Sequence, residues 1–162
     1  MSTPRSRTYS WEDPVAAAAE GRLLAGIDYL RAVAAGRLPR PPIAATLDLR
    51  LLEIGDGRVV FGVDPGEIHY NPIGVVHGSL AMALVDSAIG CAVQTQLPAG
   101  VAYTSLETKV NFVRSLTRET GPVSCVGTVV HAGRRVASGE ARVVDASGRL
   151  YAHGTSTCLI LR

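Results

Sequence analysis

The sequence predicts an α+β domain in which a curled antiparallel sheet wraps around one long central helix. Residues 78–93 are almost all apolar or small, which is typical of a helix that is buried on every side. The strand-like segments after this helix are joined by hairpin-sized connections, so neighbouring strands should run antiparallel. Strands that are not each followed by a helix argue against a doubly wound parallel sheet.

The composition indicates one globular domain and argues against several kinds of partner. The chain has 162 residues, of which 47% are hydrophobic and 19% are charged, as expected for a chain that buries a core. A net charge of +2 is too small to indicate nucleic acid or an anionic membrane as a partner. No apolar run reaches the ~20 residues of a membrane helix, and residues 1–14 lack the apolar segment of a signal peptide. The three cysteines form no CxxC pair, so we expect a protein of the reducing cytoplasm.

Residues 1–42 are predicted to comprise a tail, one helix and a proline-rich connector, and residues 43–162 the main domain. Asp13 and Pro14 are typical of an N-cap and a first helical position. Gly36 should end the helix. The stripe that faces the main domain is predicted from helical spacing to contain Leu23, Ile27, Leu30 and Ala34.

The main domain is predicted to begin with two strands, 46–54 and 58–64, joined by the turn sequence GDG at 55–57. A loop covers 65–76, and the central helix runs from Gly78 to about Gln96. Four strands complete the sheet, at 102–116, 123–132, 136–146 and 150–162. Alternation within the first of these places Leu106, Val110 and Phe112 on one face and Ser105 on the other.

Asp86 is the one carboxylate in the apolar central helix. Burying an unpaired carboxylate costs several kcal/mol. One interpretation is therefore structural: Asp86 accepts a hydrogen bond from the backbone, pairs with an arginine, or lies at an exposed edge. The other is functional, because a carboxylate with restricted solvation suits general-base or nucleophile chemistry.

The start of the central helix offers a second functional element. Backbone N–H groups project from the first turn of a helix, and a glycine at Gly78 would let a carbonyl approach them closely. Such donors stabilise an oxyanion. Asp86 lies eight residues after Gly78, which is about 12 Å along one helix. If both groups act on one carbonyl, Asp86 must come from a neighbouring subunit, and the protein is an obligate oligomer.

Two residues before the helix have both a structural and a functional interpretation. His77 either closes the loop with a backbone hydrogen bond or takes part directly in the chemistry. Asn71 precedes Pro72 and is a typical turn residue, but its amide could also orient the loop or an attacking water.

Other arrangements of reactive residues are weaker. His69, His77 and Asp86 match no strong metal-ligand spacing, so no metal site is expected. The sequence contains no GxSxG, P-loop or GxGxxG motif. Arg134 and Arg135 follow Gly133 in a predicted hairpin turn, which is either a modest phosphate site or a solvated turn.

The segment NPIGVVHGSLAMALVDSA resembles the N-x-x-G-x-x-H-G-G-x-x-x-x-x-x-D motif of PaaI-like acyl-CoA thioesterases, which have the hotdog fold. The resemblance extends over about residues 43–162. It implies that Asn71 and His77 organise the site, that the Gly78 N–H polarises the thioester carbonyl, and that Asp86 of a partner subunit acts as nucleophile or general base. Ser105 would position the water. Arg134 and Arg135 would contact the CoA phosphates, and no cofactor beyond the CoA of the substrate is implied.

The chain departs from the motif at Ser79, where the family has a second glycine. This hydroxymethyl group could narrow the acyl pocket, supply another hydroxyl or mark a loss of activity. We expect a cytoplasmic thioesterase that hydrolyses acyl-CoA, assembled as a dimer at least and as a tetramer in its full form. The alternative is a non-catalytic acyl-CoA-binding or sensing protein. A hydratase of this fold would pair an Asp with a nearby His in one loop, a motif that we do not find.

Overall fold

The computed structural model describes residues 3–162 and has six antiparallel strands curled around the long helix α4 (Gly78–Gln94). The predicted fold class is thus confirmed. The sheet has the order β1-β2-β4-β5-β6-β3. Its strands are β1 (Arg50–Gly55), β2 (Arg58–Val63), β3 (Ala102–Phe112), β4 (Val123–Ala132), β5 (Val136–Asp145) and β6 (Leu150–Leu161).

Helix α4 packs into the concave face of the sheet with almost no space between the two. Leu84, Val85 and Ile89 are fully buried there, and burial of each such side chain contributes about 1.5–3 kcal/mol. Close approach depends on Gly127 of β4, where an added Cβ would lie 2.4 Å from the backbone of Ala88. A Gly127→Ala substitution would therefore push α4 away from the sheet.

One stripe of α4 is not covered by the sheet, contrary to the prediction of burial on every side. Met82 is 45% exposed, Ser79 is exposed, and Ala83 and Asp86 are only half-buried. These residues recur at spacings of three and four, so they share one face of the helix. The six strands reach around only part of the helix, and Ser79, Met82, Ala83 and Asp86 lie on the part that they leave open.

The N-terminal region contains two helices where one was predicted, α1 (Pro14–Gly21) and α2 (Gly26–Ala34). Asp13 caps α1 by accepting a hydrogen bond from the backbone N–H of Val15 at 2.8 Å, and Gly36, with a φ of 68°, follows the end of α2. These two boundaries agree with the prediction. Two residues of the predicted stripe do not face the main domain: Leu23 lies in the intervening turn and is 80% exposed, and Ala34 at the end of α2 is exposed.

A third helix, α3 (Pro42–Leu47), occupies the region where the first strand was expected to begin. Pro42 suits a first helical turn, and Asp48 ends the helix in the left-handed conformation with a φ of 57°. The strand therefore starts only at Arg50. The predicted hairpin at 55–57 is present, since Gly55 pairs with Arg58 across the turn. No helix within residues 3–162 is long and apolar enough to cross a membrane.

Strand β3 ends at Phe112, earlier than predicted, and carries a β-bulge between Ser105 and Glu107. A bulge inserts one extra residue, here Leu106, and so changes which side chains share a face. Ser105 consequently faces α4, as does Val110, which packs against the core. The predicted placement of Ser105 opposite Val110 was wrong for this reason.

Candidate active site

Asp86 projects from α4 towards β3, where two hydroxyl groups hold its carboxylate. Ser105 Oγ and Thr108 Oγ1 each donate a hydrogen bond of 2.8 Å to Asp86 Oδ1. The bulge at Leu106 makes this possible, because it brings residues three apart onto the same face of the strand.

The second carboxylate oxygen of Asp86, Oδ2, receives no hydrogen bond from any side chain or backbone group in residues 3–162, and no Lys or Arg of that range pairs with Asp86. No buried side-chain N or O atom of that range lacks a partner, so Oδ2 is not sealed in the interior. The structural interpretation of Asp86 as half of an ion pair therefore does not apply. One oxygen is fixed by the protein and the other is open.

Thr108 was not identified from the sequence. Its Oγ1 lies 3.1 Å from Ser156 Oγ, and Ser156, which is 1% exposed, donates a 2.7 Å hydrogen bond to the carbonyl of Glu107. A buried hydroxyl network thus fixes the donor that reaches Asp86. Alternation from Val110 places Thr108 on the face towards α4, and the bulge brings Ser105 onto that same face.

His77 is the N-cap of α4. Its Nδ1 accepts a hydrogen bond from the Ser79 N–H at 3.0 Å and lies 2.8 Å from Ser79 Oγ. An Nδ1 that accepts from a backbone N–H leaves the proton of the neutral ring on Nε2, a tautomer assigned from this network. The Leu80 N–H donates to the carbonyl of His77 at 3.0 Å. Within the described range, the Gly78 N–H is the remaining first-turn donor without an acceptor.

Asn71 orders the loop that leads into α4. Its Oδ1 accepts hydrogen bonds from the backbone N–H groups of Ile73 at 3.0 Å and Val75 at 3.3 Å. Its own N–H donates to the Val75 carbonyl at 2.8 Å. These bonds are those of an Asx turn, so Asn71 acts here through the loop backbone.

His69 anchors the same loop to the rest of the domain. It is 8% exposed, its Nδ1 accepts a hydrogen bond from the Gly66 N–H at 3.1 Å, and its Nε2 lies 3.2 Å from the Leu47 carbonyl. The His69 carbonyl in turn accepts a 2.7 Å hydrogen bond from the His77 N–H. Burial lowers the pKa of His69 below its usual value of 6.5, so the ring is neutral at pH 7 and serves structure.

Two cavities open along α4. One of about 450 Å³ contains Asp86 in its wall, together with residues of α1, α2 and α3. The other, of about 400 Å³, lies at the start of α4 and is lined by His77, Gly78, Phe112 and Arg114 among others. Because Gly78 and Asp86 are about 12 Å apart along one helix, a single protomer presents the two groups in different cavities.

The cysteine and the two tyrosines that line the cavity with Asp86 are uncharged at neutral pH, whereas Arg22 and Arg40, which also line it, are exposed. Burial, and then the nearby Asp86 carboxylate, raise the pKa of the Cys91 thiol to about 12. Burial also raises the pKa values of Tyr29 and Tyr103, which line the same cavity. Cys91 therefore stays a thiol at neutral pH and is not a nucleophile. Asp86 is left as the candidate reactive group of this cavity.

The remaining predicted site residues lie elsewhere. Arg134 and Arg135 are exposed in the turn between β4 and β5 and are not among the residues that line the two cavities. No group of three or more His, Cys, Asp or Glu side chains in residues 3–162 is arranged to hold a metal ion.

Comparison with known proteins relates this arrangement to one family. The family model described as "Thioesterase superfamily" matches residues 73–152. A Saccharolobus solfataricus protein that carries an esterase name is 31% identical over 116 residues, which cover 72% of this chain and 81% of that protein.

Solved structures of PaaI proteins share the fold. A mutant of the phenylacetic acid degradation protein PaaI of Thermus thermophilus is 28% identical, with a TM-score of 0.66, and the match covers 74% of this chain and 98% of that one. PaaI of Escherichia coli, at 18% identity and a TM-score of 0.72, matches 86% of this chain and 96% of its own, and shows the fold alone.

Proposed function

Because the chain belongs to the thioesterase superfamily, we propose that it hydrolyses acyl-CoA thioesters to a free carboxylic acid and CoA. The observation that carries the proposal is the half-buried Asp86 carboxylate in the wall of a largely apolar cavity. Two hydroxyls fix Oδ1 and leave Oδ2 open. A positioned carboxylate of this kind acts as a general base or as a nucleophile.

In the general-base route, Asp86 takes a proton from a water whose oxygen attacks the thioester carbonyl carbon. The C=O electron pair moves onto oxygen, and the Gly78 N–H donates a hydrogen bond to that oxyanion. Collapse of the intermediate re-forms the C=O bond and breaks the C–S bond, and the CoA thiolate takes up a proton. In the nucleophile route, Asp86 Oδ2 attacks the carbonyl carbon, the C–S bond breaks to release the CoA thiolate, and water then hydrolyses the resulting anhydride to the free acid and the Asp86 carboxylate. In either route, Ser105 and Thr108 are positioning residues that orient Asp86. Ser105 is also expected to place the attacking water.

We propose that the two groups meet across a subunit interface. Gly78 and Asp86 lie too far apart on one helix to share a carbonyl, and the uncovered stripe of α4 with Ser79, Met82 and Asp86 offers a surface on which a second copy could complete the site. The protein would then be a homo-oligomer, a dimer at least and a tetramer in its full form. In this proposal Arg134 and Arg135 contact the CoA phosphates and the protein works in the cytoplasm.

Ser79 favours one alternative, a non-catalytic acyl-CoA-binding protein. The geometry limits its effect, because the Ser79 hydroxyl lies against His77 Nδ1 and the Gly78 N–H keeps no acceptor of its own within residues 3–162. We therefore favour the enzyme. Binding of acyl-CoA without any release of thiol would support the alternative.

The test is thiol release from a panel of acyl-CoA thioesters by the purified protein. We expect turnover, and we expect Asp86→Asn to lower kcat by about 10²–10⁴-fold, the usual contribution of a general base, with an unchanged far-UV spectrum. Asp56→Asn in the exposed β1–β2 turn is the matched control and should leave kcat unchanged. If Asp86→Asn hydrolyses as fast as the parent, Asp86 has no catalytic role.

A further inference from the structure

The three N-terminal helices form one wall of the cavity that contains Asp86. The cavity is also lined by Ser87, Cys91 and Gln94, which follow helical spacing on α4, by Leu51 and Phe61 of β1 and β2, and by Gly100 and Val101. The family match covers residues 73–152, so α1, α2 and α3 lie outside it. About a quarter of the chain also lies outside the match to Thermus thermophilus PaaI.

This wall is fixed to the core by backbone contacts and is not a loose flap. The Gly26 N–H donates to the Leu97 carbonyl at 2.9 Å, and the Gly100 N–H donates to the Arg22 carbonyl at 2.9 Å. An added Cβ at Gly26 would lie 1.8 Å from the Gln94 carbonyl oxygen, so α2 rests directly on the last turn of α4. Leu30 of α2 is 4% exposed and belongs to the main core. The cavity therefore has a defined shape.

The lining of the cavity is mostly apolar, and its two arginines, Arg22 and Arg40, are exposed to solvent. Leu24, Tyr29, Leu30, Val33 and Ile43 line it from the N-terminal side, and Cys91 and Tyr103 are uncharged at neutral pH because burial raises both pKa values. A volume of about 450 Å³ falls in the range of about 300–1,000 Å³ typical of small-ligand sites. Such a cavity takes an uncharged hydrocarbon group.

We propose that α1, α2 and α3 close an acyl pocket over Asp86 of their own chain and select medium-chain acyl groups, an inference that rests on the proposed thioesterase function. The α4 wall runs from Asp86 to Gln94, about 12 Å at 1.5 Å per residue. An extended hydrocarbon chain advances roughly 1.3 Å per carbon, since its C–C bonds of about 1.5 Å zigzag. The pocket therefore matches an acyl chain of roughly eight to ten carbons.

The first measurement is the chain-length dependence of kcat/KM for acetyl-, butyryl-, octanoyl- and phenylacetyl-CoA. Each buried methylene contributes about fourfold in affinity. We expect octanoyl-CoA to exceed butyryl-CoA at least about tenfold. A preference for acetyl- or butyryl-CoA, or for phenylacetyl-CoA over octanoyl-CoA, would overturn the assignment of a medium-chain pocket.

The second measurement places a large side chain at the far end of the pocket. Leu24 lines the cavity and is 37% exposed, whereas its neighbour Leu23 is 80% exposed and does not line it. Leu24→Trp should lower kcat/KM for octanoyl-CoA about tenfold and change that for butyryl-CoA by less than about twofold. Leu23→Trp is the matched control and should change neither. Equal effects of the two substitutions would show that the N-terminal helices do not form the acyl pocket.

The two proposals fail in different ways. Turnover of all four substrates at equal rates would leave the thioesterase function intact and would overturn the pocket. If no thioester is hydrolysed, the proposed function is wrong, and the pocket is then judged by calorimetry with octanoyl-CoA and with CoA alone. Tighter binding of octanoyl-CoA that Leu24→Trp removes would support the pocket, and equal binding of the two ligands would overturn it.

Discussion

The two proposed catalytic positions on α4 use different kinds of chemical group. At Gly78 the reactive group is a backbone N–H, left open because His77 and the helix occupy the neighbouring donors. At Asp86 the reactive group is a side chain, held by hydroxyls from a separate strand. The first position should tolerate a small added side chain that keeps the N–H and the local backbone. The second should be sensitive to each contact of one carboxylate.

The parts of the protein that hold Gly78 and Asp86 in place also differ. The Gly78 end depends on the order of the loop 65–77, which Asn71 and His69 provide through backbone contacts. The Asp86 end depends on one extra residue in β3, because without the bulge at Leu106 the strand would not turn both hydroxyls towards the helix. Substitutions can therefore separate the two positions.

Removing the backbone donor at Gly78 should have the largest effect. Proline suits this first helical position, and His77 before it has the extended ψ of 136° that a residue preceding proline prefers. Gly78→Pro deletes the N–H without breaking the helix, so we expect kcat to fall about 10²–10³-fold, as for loss of one oxyanion donor.

Gly78→Ala is the control, because it keeps the N–H and adds a comparable Cβ. That Cβ would lie 3.0 Å from the ring of Phe112, whose side chain is 57% exposed and can shift. We expect kcat to drop less than about tenfold for this variant. If alanine and proline at position 78 reduce kcat equally, the N–H is not the oxyanion donor.

Removing a hydroxyl beside Asp86 should have an intermediate effect. Ser105→Ala and Thr108→Val each delete one donor to Oδ1, and a hydrogen bond to a charged group contributes about 1.5–3 kcal/mol. We expect kcat to fall about tenfold or more for each. KM should change much less, because a hydroxyl that only orients Asp86 does not contact the acyl-CoA. Thr108→Ser keeps the hydroxyl and should restore most of the rate.

The double variant Ser105→Ala/Thr108→Val tests whether the two hydroxyls act as a pair. Groups that share one partner are expected to be non-additive. An unchanged kcat in all three variants would contradict the proposed orientation of Asp86.

The smallest expected effect is on the pH dependence of the free energy of unfolding, through His69 in the loop before α4. Burial lowers the folded-state pKa of His69 below 6.5, so the unfolded chain takes up the proton first as the pH falls. The contribution of His69 to the free energy of unfolding is then fully present above pH 6.5 and is lost as the pH falls through the lower folded-state pKa. Denaturation between pH 7.5 and 5.5 should show this decline, and His69→Gln should flatten it.

His153 provides a comparison, because it is an exposed histidine in β6. His153→Gln should leave the slope of stability against pH unchanged. A slope in His69→Gln that equals that of the parent would mean that another group causes the pH dependence.

Patterns of apolar residues sufficed for the architecture. The run 78–93, the hairpin turns and the antiparallel order could be predicted because period and turn chemistry are local properties. The N-terminal region was less predictable. The break between α1 and α2 depends on how Gly26 seats against the end of α4, and that contact is between residues 68 positions apart in the chain (Gly26 and Gln94).

Some residues of the candidate site could likewise be predicted from the sequence, and others could not. Asp86, His77 and Gly78 could be singled out because one contiguous segment carries them. Thr108 was missed although alternation places it on the face of Val110, and Ser105 was assigned to the wrong face because the alternation of a strand does not reveal a bulge. The cavity walled by Leu24 and Leu30 was also beyond reach, since it forms only when distant segments pack together.

The proposal that one protomer supplies Gly78 and its partner supplies Asp86 can be tested by co-expressing Gly78→Pro and Asp86→Asn chains with different tags and isolating the mixed oligomers. Each variant alone should be nearly inactive. Each isolated mixed dimer has one intact site of two, so thiol release should recover to about half of the parent rate per dimer. No recovery in the mixed oligomers, with folding and assembly intact, would contradict a site shared between subunits.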